Sequence, residues 1–127
     1  MNRSRIVLTK HNIWSMARIG EFHCRNLYSV RVYSGEGPTP HFHVVDTQDG
    51  NETCVRIDCP EYFTHGDKLY EFNTKEKKKL VEFLNTVSPY EEDCGKTYYE
   101  LIWEEWNRNN REHRISKPSS IPNYENL

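Results

Sequence analysis

The chain has 127 residues, a formal net charge of −2 and 35% hydrophobic residues, with 13% aromatic side chains making up part of the apolar area. That length suits one domain with one modest core. The charge excludes a global basic field for nucleic acid, though not a local basic patch. No apolar run approaches the ~18 residues that span a bilayer. Ile6-Val7-Leu8 near the N-terminus is too short for the core of a signal peptide. These features predict a cytoplasmic protein with no membrane partner. Cys24, Cys54, Cys59 and Cys94 are then expected as reduced thiols. They form no C-x-x-C pair, so a zinc knuckle is not indicated.

The first half reads as strands. Ala17 to Cys24 is one, with Gly20 marking a bulge. Tyr28 to Ser34 alternates, placing Val30 and Val32 on one face and Arg31 and Tyr33 on the other. Gly35 to Pro40 is a loop by composition. His41–Asp46 and Thr53–Asp58 follow as a hairpin, with Asp49-Gly50 as the turn signal.

The second half reads as helices. Asn73 with Glu76, and Thr97 with Glu100, have the spacing of capping boxes. Leu80, Val81, Leu84 and Val87 make the first apolar stripe; Tyr99, Ile102, Trp103 and Trp106 make the second. The lysines at 75 and 77–79 are read as a solvated face, as are Glu100, Glu104, Glu105 and Arg108. Pro118 and Pro122 exclude helix from the tail, an extended arm that Ile121, Tyr124 and Leu127 pin to the body. Strands followed by helices predict an α+β fold: a small antiparallel sheet from the N-terminal half packed on two C-terminal helices, a two-layer sandwich. The expected organisation is a single domain over 1–127, with an N-terminal extension at 1–27, a core at 28–110 and an extended tail at 111–127.

Alternation then selects a candidate site. If Val30, Val32, Phe42, Val44, Val55 and Ile57 face the helices, the other face carries Arg31, Tyr33, His41, His43, Cys54, Arg56 and Asp58. On this reading Phe42 points inward and sends His41 and His43 outward together. Arg31, Tyr33, His41, His43, Arg56 and Asp58 form the expected ligand or partner surface. Four uses are open to it. The face is a solvated sheet surface; or His and Arg contact phosphate or nucleic acid, since Arg forks match phosphate oxygens; or His41 and His43 bind a divalent metal ion; or they do acid–base chemistry near neutral pH. Two histidines do not complete a zinc site. Asp58, Cys54, His23 and His65 are candidate further ligands. Gly35, five residues and then His-x-His resembles the opening of a cupin metal motif, but Thr47 and Gln48 stand where its glutamate belongs.

The run Pro38-Thr39-Pro40-His41-Phe42-His43-Val44, after the strand Ser29–Ser34 and before Cys54–Asp58, resembles a small uncharacterised bacterial and phage family with a Pro-Pro-His-Phe-His-Val signature, a domain of unknown function. The helical segments Lys79–Val87 and Leu101–Asn110 and the lysine-plus-proline tail at Lys117-Pro118 follow in the family's order, so the resemblance covers about 30–118. Here Thr39 splits the prolines, and Gly35-Glu36-Gly37 replaces a histidine often found just before them. If that histidine serves a family site, Glu36 stands in for it. The resemblance implies an accessory protein of mobile-element, phage or toxin–antitoxin type. No nucleophile motif, P-loop or paired-carboxylate signature is present. The expectation is therefore a binding module that contacts a protein or nucleic acid through the His/Arg face. The alternative is a metal-binding protein, or a small hydrolase or nuclease using His41 and His43. The oligomeric state is left open, a homodimer included.

Overall fold

The computed structural model describes residues 4–8, 13–64 and 69–127. Five antiparallel strands lie in sequence order across one sheet: β1 (Ser4–Leu8), β2 (Ile13–His23), β3 (Leu27–Tyr33), β4 (His41–Asp46) and β5 (Glu52–Arg56). Helices α1 (Thr74–Leu84) and α2 (Tyr98–Asn109) follow and pack against β2 and β3. This is the expected α+β arrangement. No helix among the described residues is long and apolar enough to cross a membrane.

The sheet register follows the alternation. Val30 pairs with Val44 and Phe42 with Val55, so these side chains share one face, and all are buried. The β4–β5 hairpin turns at Gly50, whose φ of 76° is the left-handed conformation that glycine adopts without strain. The Asp46 carboxylate caps that turn by accepting from the N–H groups of Gln48 and Asp49. In β2 the register slips between Arg18 and Gly20, the expected bulge. Gly20 also lets the helices close on the sheet. A Cβ there would lie 2.8 Å from Tyr98 and 2.9 Å from Phe83.

Both helices begin at the expected capping boxes, with Asn73 and Glu76, and Thr97 and Glu100, each exchanging side-chain to backbone hydrogen bonds. Their apolar stripes need three corrections. Helix α1 ends at Leu84, so Val87 falls beyond it and is exposed, while Phe83 takes the core position. Trp103 is only half-buried, because it faces the tail and donates to the Ile115 carbonyl. Glu105 is buried rather than solvated, satisfied by Asn109 and Arg108.

The core reaches past both ends of 28–110. Ala17 and Ile19 belong to it, so β2 is an integral strand and not an appendage. Tyr124 is fully buried and donates to the Arg56 carbonyl at 2.6 Å, so the tail anchors as expected, with Ile121 and Leu127 packed alongside. Cys24, Cys54, Cys59 and Cys94 are all free thiols.

Candidate metal centre

Pairing places His43 opposite Arg31 on β3 and opposite Cys54 on β5, and His41 opposite Arg56. All lie on the sheet face that alternation assigned to them. That face is not wet at this point. His41 is 0% exposed and His43 5%. Three neighbours close it: Phe63, whose ring centre is 4.4 Å from that of His41; Trp106 from the end of α2, at 5.5 Å; and Glu36 from the loop after β3. Strand alternation fixes which way a side chain points, but not what a later segment lays over it.

Glu36 reaches the histidines because of its neighbours. Gly35 and Gly37 have φ of 67° and 84°, left-handed conformations that strain other residues. No atom lies within 4 Å of a Cβ built at either, so the requirement is conformational. The loop is tied to α2 by Asn110, which accepts from the Glu36 N–H at 3.3 Å and donates to the Tyr33 carbonyl at 3.2 Å.

The ring nitrogens divide the work. His41 Nδ1 lies 2.7 Å from the Thr39 carbonyl. A carbonyl can only accept, so Nδ1 carries the proton, and in the neutral ring Nε2 holds the lone pair. Nε2 of His41 faces Glu36 Oε1 at 3.5 Å. His43 Nδ1 contacts Glu52 Oε1, and Nε2 of His43 lies 2.5 Å from the same Glu36 oxygen. Each Nδ1 is thus held by an oxygen acceptor while each Nε2 converges on Glu36. Ligand histidines are oriented in this way, by a carbonyl or carboxylate on the nitrogen that does not bind the ion. Glu36, His41 and His43 offer three ligand atoms that all lie within 4.8 Å of one another. On a tetrahedral ion with bonds of about 2.0–2.1 Å, two donors sit about 3.4 Å apart.

Without an ion, the cluster holds a proton. Burial by itself disfavours charged His43, but hydrogen bonding to Cys54, Glu36 and Glu52 outweighs it and raises its pKa to about 11. Burial likewise works against ionised Glu36, yet His41 and His43 hold its carboxyl well below the usual range. Hydrogen bonding to His43 lowers Glu52, against its partial burial.

The other expected site residues divide. Tyr33 joins the cluster, edge-on to His43 with ring centres 4.6 Å apart. Cys54 lies behind His43, its sulfur 3.3 Å from Nδ1. Arg31 flanks His43 but bonds Ser29 Oγ through its Nε. Arg56 and Asp58 pair with each other through two hydrogen bonds at 2.7 and 2.9 Å, so neither turns to the histidines. His23 pairs with Leu27, at the other end of β2 from the Met16–Tyr33 pair, so it lies away from the cluster. His65 lies outside the described residues. Glu52, Phe63 and Asn110 were not anticipated. Extending the alternation of β5 by one residue places Glu52 on the His43 face; no comparable pattern marks Phe63 or Asn110.

No protein-family model matches the chain, and neither the curated proteins nor the solved structures contain a match. The resemblance over about 30–118 therefore rests on the motif and the order of segments in this sequence alone.

Proposed function

We propose that this protein binds one divalent first-row metal ion through Glu36 Oε1, His41 Nε2 and His43 Nε2. The observation that carries this reading is the division of the ring nitrogens: both Nδ1 atoms are held by oxygen acceptors and both Nε2 atoms meet one carboxylate oxygen. Two nitrogens and one oxygen suit zinc, iron(II) and their neighbours better than calcium or magnesium. Three protein ligands leave a position of a tetrahedral ion for water or substrate, as in catalytic rather than structural sites. An ion so held supplies Lewis acidity, which makes metal-assisted hydrolysis the reaction class that this reading favours. Contact with a protein or nucleic acid through a His and Arg face has less support. The two histidines are buried, and Arg56 is engaged by Asp58.

Calorimetric titration of chelator-stripped protein with Zn2+ tests the reading. Wild type should bind one equivalent, Glu36→Gln should bind at least about tenfold more weakly, and both should show the same circular dichroism. Absence of binding, or wild-type affinity in Glu36→Gln, overturns it.

A further inference from the structure

His43 carries a second donor set on its other nitrogen. Nδ1 contacts Glu52 Oε1 and lies 3.3 Å from Cys54 Sγ, and the ligand atoms of His43, Glu52 and Cys54 all fall within 4.8 Å of one another. Cross-strand pairing builds this set. Cys54 is the direct partner of His43, and Glu52 stands two residues before it on the same face of β5. Nδ1 faces two ligand-type atoms at once, a carboxylate oxygen and a thiol sulfur. A cation meets both. On a tetrahedral ion with a sulfur bond of about 2.3 Å and a nitrogen bond of about 2.0–2.1 Å, those donors sit about 3.6 Å apart, close to the observed spacing.

We infer that His43, Glu52 and Cys54 form a second metal site that takes a thiophilic ion, in competition with the site at Glu36, His41 and His43. The two sets differ in softness. Glu36 with two imidazoles is an oxygen–nitrogen set, whereas Cys54 adds a thiolate, which selects softer ions. Both sets need His43. A neutral ring has one lone-pair nitrogen, so it serves one set at a time and the two sites exclude each other. The softness of the ion decides which is filled. Cys54 is 8% exposed while the Glu52 side chain is 45% exposed, so an ion enters past Glu52. The inference shares His43 with the proposed function but does not require Glu36 to bind an ion.

The test is titration of reduced, chelator-stripped protein with Cd2+, followed by near-ultraviolet absorbance. Wild type should develop a thiolate-to-cadmium band that saturates at one equivalent. Cys54→Ser should lose the band and bind Cd2+ at least about tenfold more weakly. Glu36→Gln should keep the band, because it leaves the thiolate and the other ligands in place, although affinity falls with the loss of the carboxylate that orients His43 through Nε2. If Cys54→Ser fails to fold, Glu52→Gln gives the test at a half-exposed position, with a comparable loss of affinity expected. No band in wild type, or a band that survives Cys54→Ser, overturns the inference, because Cys24, Cys59 or Cys94 would then be the source. Loss of Cd2+ in Glu36→Gln with retention in Cys54→Ser also overturns it, while leaving the first site standing. Failure of Zn2+ to bind alongside a Cys54-dependent cadmium band does the reverse.

Discussion

The two faces of the sheet are both buried over β3 and β4, but by different means. On one face, Val30, Val32, Phe42, Val44, Val55 and Ile57 meet Leu80, Leu84, Ile102 and Trp106 in a continuous apolar core. Each such side chain contributes roughly 1.5–3 kcal/mol by leaving water, with no directional requirement. On the other face, His41 and His43 are covered by Glu36, Phe63 and the edge of Trp106, and every buried polar atom must find a partner. No buried side-chain nitrogen or oxygen among the described residues lacks one. An apolar face tolerates exchange of similar volumes. The histidine face is specified atom by atom and fails when one partner is removed.

That contrast orders the expected effects. The largest belongs to His43→Ala, which leaves Glu36 and Glu52 without their shared cation. Urea denaturation of the metal-free protein should show a loss of about 3 kcal/mol, together with loss of zinc binding in calorimetry. A similar experiment on the apolar face is Gly20→Ala. The added methyl meets Tyr98 and Phe83 below 3.0 Å, so about 1–3 kcal/mol should be lost, with zinc affinity unchanged once the protein is folded. Gly35→Ala and Gly37→Ala should do the opposite. They impose about 1–2 kcal/mol of left-handed strain on the loop that carries Glu36. Zinc affinity should fall about tenfold while the core remains folded, as judged by near-ultraviolet circular dichroism.

Acidity separates the metal-free and metal-loaded states. His43 rises from 6.5 in the unfolded chain to about 11 in the fold. Its stabilisation is therefore complete below about 6.5 and is lost as pH climbs through about 11. Glu36 and Glu52 are lowered from 4.5, so theirs is present above about 4.5 and lost on acidification. The melting temperature of the metal-free protein should thus fall between pH 7 and pH 10. Zinc affinity should rise over the same range, because the ion must displace the proton of His43. A melting temperature that rises with pH in the absence of metal contradicts the assignment. The smallest effect is expected at Asp58. Asp58→Asn breaks a partly exposed pair with Arg56 and should cost about 1 kcal/mol or less in the same urea assay, without changing zinc binding.

Much of the apolar face was legible in the sequence. Apolar residues at alternate positions, Val30 and Val32 on β3 and Phe42 and Val44 on β4, assigned their own face, and two capping boxes placed both helix starts. The histidine face was legible only in direction. Alternation put His41, His43 and Cys54 together, but the histidines' burial depends on Phe63, which carries no local signal, and on Trp106, whose helical spacing marked it for the core and not for this face. Glu36 was marked only by the family departure that set Gly35-Glu36-Gly37 in place of a histidine. Its delivery depends on two left-handed glycines and on Asn110, 74 residues away. Arg56 and Asp58 show the converse. They share a face by alternation and pair locally, two residues apart, before either can reach the site.

The most direct measurement is the metal content of untagged wild type and Glu36→Gln, purified side by side without added metal or chelator and measured by elemental mass spectrometry. One equivalent of a first-row divalent ion in wild type, and well under half that in the variant, is the predicted result. Metal-free wild type, or an undiminished metal content in Glu36→Gln, would contradict a centre built from Glu36, His41 and His43.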